Sequence, residues 1–312
     1  MSKFAFVFPG QGSQAVGMLD AWGDHPLVRS TLEEASTALG QDLGRLIHDG
    51  PKEQLDLTTN TQPVMLTAGI ACYRVWIHET GLLPEAAAGH SLGEYTALVA
   101  SGALSLTQAV PLVRFRAQAM QEAVPVGVGA MAAIMGLDAQ VVRQVCQQAA
   151  AACGEVVEAA NFNDPKQTVI AGTKDAVAKA CELLRIAGAK RTLPLPVSAP
   201  FHSSLMRPAA ERLKEKLAAT VFAQGQFAVV NNIDAAVSVD ANGLRDALYR
   251  QAFGPVRWVE VVQALKARGV TCVIECGPGK VLAGMVKRID AALQSAMVLD
   301  PASLIETKNL LA

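Results

Sequence analysis

Ala86-Ala87-Ala88-Gly89-His90-Ser91-Leu92-Gly93-Glu94-Tyr95 is the stretch on which the reading of this chain turns. Its first four residues are small and apolar, which predicts a short buried strand, and from Glu94 to Ala100 a helical period resumes. Between them Gly89-His90-Ser91-Leu92-Gly93 fits G-x-S-x-G, where a serine occupies a cramped strand-to-helix turn and the glycines let neighbouring backbone pass close by. By composition alone a chain of this size would contain that pattern by accident about one time in ten, so the flanking strand and helix carry the weight. Without them Ser91 is a serine in an ordinary turn; with them its hydroxyl is pushed into a cleft, beside helix-start N–H groups able to stabilise an oxyanion.

Outward from this elbow, short apolar runs alternate with helical patterns, the signature of a parallel sheet flanked by helices. Residues 3–8 read as a first strand ended by Pro9-Gly10-Gln11-Gly12, and helices are expected over residues 26–39, 63–80 and 106–124. Near the far end, residues 270–275 form a β-branched strand, Gly277-Pro278-Gly279 a turn, residues 280–289 a helix and residues 296–299 a last strand. The middle differs. Strand (130–135), helix (138–151), strand (155–161), strand (167–171), helix (174–187) and strand (190–193) follow the split βαβ plan of a ferredoxin-like unit. The expected fold is α/β: a parallel-sheet, α/β-hydrolase-like large domain (1–126 and 198–312) with an inserted ferredoxin-like small domain (127–197).

The 312 residues are 51% hydrophobic and 18% charged, enough to bury a core without disulfides or metal, which excludes a disordered chain. A net charge of −1 supplies no global field for nucleic acid. The apolar run after Met1 is too brief for a secretory signal, and the most membrane-like window, residues 95–113, is broken by Thr96, Ser101, Gly102, Ser105, Thr107, Gln108 and Pro111. A cytoplasmic protein with no membrane contact is expected. The six cysteines form no C-x-x-C pair and read as reduced, buried and structural; the five histidines show no H-E-x-x-H, so no metal or other cofactor is expected.

A serine nucleophile needs a base. His202 follows Pro200-Phe201 at an element boundary, although a lone histidine is more often a surface or satisfied core residue. His90 is a rival, but its place in the turn itself directs its ring away from the serine oxygen. No acid stands in an obvious third role, since Asp138, Glu155 and Asp164 all fall in the inserted unit; a backbone carbonyl can orient the histidine instead. On the helix 106–124 the stripe Leu106, Val110, Val113, Ala117 and Met120 brings Arg116 to its edge and turns Arg114 outward. An inward guanidinium needs an anion, either a buried acid of the protein or a substrate carboxylate held in a bidentate clamp. The first loop, Gly10-Gln11-Gly12-Ser13-Gln14-Ala15, also fits the loose dinucleotide pattern, though the acid expected about 20 residues on falls, as Glu33 and Glu34, inside a helix.

Taken together, Phe8-Pro9-Gly10-Gln11-Gly12-Ser13-Gln14, Gly89-His90-Ser91-Leu92-Gly93-Glu94-Tyr95, Arg116, Asn161-Phe162-Asn163, Ser198-Ala199-Pro200-Phe201-His202 and Glu275-Cys276-Gly277-Pro278-Gly279 resemble, in order and over almost the whole chain, the malonyl-CoA:acyl carrier protein transacylases. The resemblance implies Ser91 as nucleophile, His202 as base, Arg116 as ligand of the malonyl carboxylate, backbone N–H groups of Gln11 and Leu92 as oxyanion hole, and the Gln251 carbonyl as partner of His202. Leu92 and Phe201 match the malonyl-accepting pattern of that family. Malonyl-CoA and an acidic acyl carrier protein are the implied partners, the latter received by Lys190, Arg191, Lys287 and Arg288, and a monomer is expected. The competing functions are a serine acyl hydrolase using the same pair, and a nicotinamide-dependent oxidoreductase built on the first glycine loop.

Overall fold

The computed structural model describes residues 3–197 and 199–312, so the start at Met1-Ser2 and the expected domain boundary at Ser198 lie outside the described residues. The strands among them are β1 (Phe4–Phe8), β2 (Ala86–Gly89), β3 (Gly129–Met135), β4 (Val157–Asp164), β5 (Gln167–Thr173), β6 (Arg191–Pro194), β7 (Ala228–Val230), β8 (Cys272–Cys276) and β9 (Gln294–Val298). Two sheets result. One is parallel throughout, in the order β7-β2-β1-β8-β9, and the other is antiparallel, in the order β4-β5-β3-β6.

Every residue of β1 is buried because the strand lies at the centre of the parallel sheet with helices on both faces. Its alternation still sorts the two halves of the core. Phe4, Phe6 and Phe8 stack edge-on against Tyr73 and Trp76 of the helix Thr58–Thr80, while Ala5 and Val7 face Val261, Val262 and Leu265 of the helix Trp258–Ala267. Each buried phenylalanine contributes about 1.5–3 kcal/mol. The C-terminal ends of β1, β2 and β8 emerge together, at the edge where parallel α/β sheets hold their ligands.

In the small sheet the helices Ala139–Cys153 and Lys174–Ile186 cover one face through Val142, Cys146, Ala180 and Leu184, and the other face presents Met131, Ala133 and Val169 toward the large sheet's edge. Strand order and antiparallel pairing match the ferredoxin-like plan expected. The outer strand β4 is sewn to the rest of the molecule by backbone. Phe162 N donates to Val256 O (2.9 Å) and Val256 N to Ala160 O (2.9 Å), while Arg288 Nε donates to Asp164 Oδ2 (2.7 Å).

Several expectations need correction. The helix placed at residues 63–80 starts at Thr58, with Pro63 inside its second turn, where the missing N–H costs a single early bond. Asn161-Phe162-Asn163 belongs to β4, which runs to Asp164. Cys153 is exposed at its helix end, unlike the other five cysteines. β7 is not legible in the sequence, because three residues are too few to show a period. No helix opens on the first glycine loop. After β1 come turns and the short 3-10 helix Asp20–Trp22, and the first α-helix begins at Pro26, so the loop lacks the helix N-terminus a dinucleotide pyrophosphate requires. Among the described residues no helix is long and apolar enough to cross a membrane.

Candidate active site

Ser91 lies two residues past β2 at φ 54°, ψ −107°, the pinched turn anticipated, and the helix Leu92–Ser101 starts immediately after it. Such a backbone costs about 1–3 kcal/mol and persists only when neighbours over-determine it. Here they do. Asn232, just past β7, accepts Ser91 N–H at Oδ1 (2.7 Å) and donates from Nδ2 to Gly89 O (2.7 Å), clasping the elbow on both sides. A Cβ on Gly93 would stand 2.0 Å from Phe8 O, and one on Gly10 2.6 Å from His90 O, so glycines let the first loop and the elbow lie against each other.

His202 also lies at positive φ (61°), and its ring reaches the serine. Its Nδ1 faces two carbonyl oxygens, Gln251 O (3.0 Å) and Gly254 O (3.2 Å), which only accept; Nδ1 therefore carries the proton. Nε2 is left bare and accepts from Ser91 Oγ at 2.7 Å. Burial, then the charge of Arg116, push the imidazole pKa down to about 3 against the opposing carbonyl bonds, so the ring is neutral and able to take a proton. His90 points elsewhere, with Nε2 2.9 Å from Asn163 Oδ1 and its ring tilted over Trp258.

Arg116 is 2% exposed. Its Nη1 donates to Gln62 Oε1 (2.8 Å), and Nη2 to Ser91 Oγ (3.1 Å) and Gln251 Oε1 (3.0 Å), while Nε has no partner among the described residues. All three acceptors are neutral, and no carboxylate of the described residues pairs with this cation directly. A buried guanidinium without a counter-ion is costly, and a ligand carboxylate brought into the cleft would supply one. Arg114 does not turn out to solvent as expected; half-buried, it donates to Gln41 and Asn60 on the far side of the helix.

Behind these groups sits Glu94, 2% exposed, whose Oε2 accepts from Gln251 Nε2 (2.9 Å) and Asn232 N (2.8 Å). Burial pushes its pKa up to about 7, against those two bonds and the Arg116 charge. Ser91 N–H is taken by Asn232, while Gln11 and Leu92, the two residues expected to offer backbone N–H groups to an oxyanion, both border the cleft. The cleft that joins these residues has a volume of about 290 Å³ and is walled on the small-domain side by Met131, Ala133 and Val169, with Phe201 beside His202. The expected residues Ser91, His202, Arg116, Gln11 and Leu92 all line it, and Gln251 lies buried directly behind.

Residues 5–305 match the family described as "Acyl transferase domain". The malonyl CoA-acyl carrier protein transacylase of Salmonella typhimurium is 50% identical over 97% of this chain and 98% of its own length. Among solved structures, the acyl-carrier-protein S-malonyltransferase of Burkholderia pseudomallei superposes with a TM-score of 0.96 at 64% identity, covering 98% of this chain and 99% of the other. A malonyl-transacylase solved in complex with a type II PKS acyl-carrier protein superposes with a TM-score of 0.96 at 48% identity, covering 99% of this chain and 100% of its own. The chain belongs to the malonyl-CoA:acyl carrier protein transacylase family.

In this transacylase-family member, sequence reasoning missed Thr58, Gln62, Asn232 and the Gly254 carbonyl. One signal was available. Thr58, Asn60, Thr61, Gln62 and Thr67 crowd polar residues into the first half of the helix, and all five are buried, a placement that marks a hydrogen-bonded wall rather than plain core.

Proposed function

We propose that this protein moves malonyl from malonyl-CoA to the phosphopantetheine thiol of acyl carrier protein through an ester on Ser91, with His202 as general base and acid and Arg116 as the carboxylate ligand. Ser91 Oγ attacks the thioester carbonyl while His202 Nε2 takes its proton, and the tetrahedral oxyanion is received by the N–H groups of Gln11 and Leu92. Collapse expels the thiolate of coenzyme A, which takes the proton from Nε2. The second half runs in reverse order: the carrier thiol gives its proton to Nε2 and attacks the ester, and Ser91 Oγ leaves and is reprotonated. No external acid is used, because the Gln251 and Gly254 carbonyls hold the ring in the tautomer it needs.

The observation that carries this reading is the guanidinium of Arg116, buried, bonded only to neutral acceptors and 3.1 Å from the nucleophilic oxygen. A bound carboxylate completes it, whereas an acyl group lacking one leaves it unpaired at a cost of about 1–3 kcal/mol.

The same reading divides the chain at 1–126 with 198–312 and at 127–197, and places the protein in the cytoplasm as a monomer. Carrier protein is received beside the cleft. Across one end of the small sheet Arg191 pairs with Met135, Met135 with Gln167 and Gln167 with Asp164, which binds Arg288. This row sets Lys190 and Arg191 at one side and Lys287 and Arg288 at the other, with the cleft-lining Gln167 between them. Arg288 is already paired with Asp164, so Lys190, Arg191 and Lys287 are the cations left for an acidic partner.

Intact-protein mass spectrometry after mixing with malonyl-CoA tests the scheme. One malonyl group is expected on the wild type, none on Ser91→Ala, and its passage to holo carrier protein on addition of the second substrate. An unmodified Ser91 overturns the proposal, and release of malonate to water in place of transfer converts it to the hydrolase reading.

A further inference from the structure

The hydroxyl of Thr58 lies at the start of the helix Thr58–Thr80 but does not cap it: the N-cap is Leu57, with no side-chain bond. Both of its bonds run into the site instead. Thr58 Oγ1 donates to Gln11 Oε1 (2.8 Å) and accepts from Gln62 Nε2 (3.3 Å), and Gln62 Oε1 accepts from Arg116 Nη1 (2.8 Å). The chain Gln11–Thr58–Gln62–Arg116 thus joins the loop that carries one oxyanion donor to the guanidinium through a single helical turn. The same segment holds that loop a second time, since Gln14 Oε1 accepts from Gly12 N (2.7 Å) and Gln14 Nε2 donates to Asp56 Oδ1 (2.8 Å).

A glutamine amide has two faces of opposite character, and only its neighbours decide which way it lies. Gln62 is 3% exposed, so water does not decide for it. With Nε2 toward Thr58 its oxygen meets Arg116; reversed, Nε2 would confront Nη1, donor against donor. Arg116 requires the oxygen on its side, and Thr58 Oγ1 holds the amide there from the other, as an acceptor for Nε2 whose own proton is committed to Gln11. We infer that Thr58 is a positioning residue that fixes the sense of the Gln62 amide and thereby the Arg116 guanidinium, so that it governs the choice of acyl group without touching substrate. The inference rests on the carboxylate-clamp reading of Arg116.

The test compares single-turnover acylation of Ser91 by malonyl-CoA and by acetyl-CoA in the wild type, Thr58→Val, Thr58→Ala, Thr58→Ser and Arg116→Lys, with thermal unfolding of each. Thr58→Val keeps the shape and removes the hydroxyl. It and Thr58→Ala are expected to lower the malonyl-to-acetyl ratio of kcat/KM by about tenfold, and Thr58→Ser to stay within about twofold of wild type. A residue that merely supports the fold would slow both acyl donors alike, so an unchanged ratio in the two hydroxyl-free variants overturns the inference, as does failure of both to fold. If Arg116→Lys also leaves the ratio unchanged, the clamp reading itself falls; if Arg116→Lys lowers it and the Thr58 variants do not, only the role of Thr58 is lost.

Discussion

Ser91 and His202 are two of three non-glycine residues at positive φ among the described residues, and they face each other across 2.7 Å. Strain at both partners, held by Asn232 on one side and by the Gln251 and Gly254 carbonyls on the other, means the pair is assembled before substrate arrives. The depressed pKa of His202, about 3 against an ordinary 6.5, has a kinetic and a thermodynamic consequence. Kinetically, acylation by malonyl-CoA should show no acid limb from this ring above about pH 5, measured as kcat/KM in single turnover. Thermodynamically, the unfolded chain binds the proton first as pH falls below 6.5, so the neutral native ring contributes stability that is lost between 6.5 and about 3. Glu94 acts in the opposite direction: raised from 4.5 to about 7, it removes stability as pH rises through that interval. Thermal unfolding of His202→Gln should therefore be less acid-sensitive than wild type below pH 6, and equal acid sensitivity of the two proteins would contradict a buried neutral ring.

At the scale of elements, the elbow was readable because everything it needs lies within ten consecutive residues: small strand, glycines, serine, helix. Gly93 is the clearest case. The nearest atom a Cβ would meet is backbone, Phe8 O at 2.0 Å, which cannot swing aside. Gly93→Ala is expected to destabilise the protein by about 3 kcal/mol or more and to abolish malonyl loading; a variant with wild-type Tm and loading would show that β1 and the elbow do not depend on this contact. The supports of the site were not readable in the same way. Asn232 is 141 residues from Ser91, and His202 meets Gln251 across 49, separations at which local pattern carries no information. β7, which delivers Asn231 and Asn232 to the sheet's C-terminal edge, is three residues long and shows no alternation to read. Arg114 departs from its expected outward position for a related reason. A helical wheel identifies the face, but the loop residue Gln41 and the helix residue Asn60 that cover it come from elsewhere in the chain.

For the whole molecule, the split plan was legible because the helix and strand periods change character between residues 127 and 197, and the observed strand orders follow it. How the two sheets meet was not, since much of the contact rests on Val256, Asp164 and Arg288, none of which belongs to any local motif. The basic row at that junction separates two kinds of cation. Lys287→Glu should raise the KM for carrier protein several-fold and leave that for malonyl-CoA unchanged, with Tm near wild type. Arg288→Glu should in addition lower Tm by about 2–4 °C, because Asp164, only 6% exposed, loses its partner. Equal changes in both Michaelis constants would argue against docking at this face.

The two backbone hydrogen bonds between β4 and Val256 extend the small sheet past its own last strand into the opposite half of the chain. A chimera that imports residues 127–197 from a distant homologue would bring Ala160 and Phe162 but leave Val256 behind with the host. Such a graft is expected to express and assemble only where the recipient's loop keeps its register with the incoming strand, so donor and host have to be matched at that seam before any exchange of acyl preference is attempted.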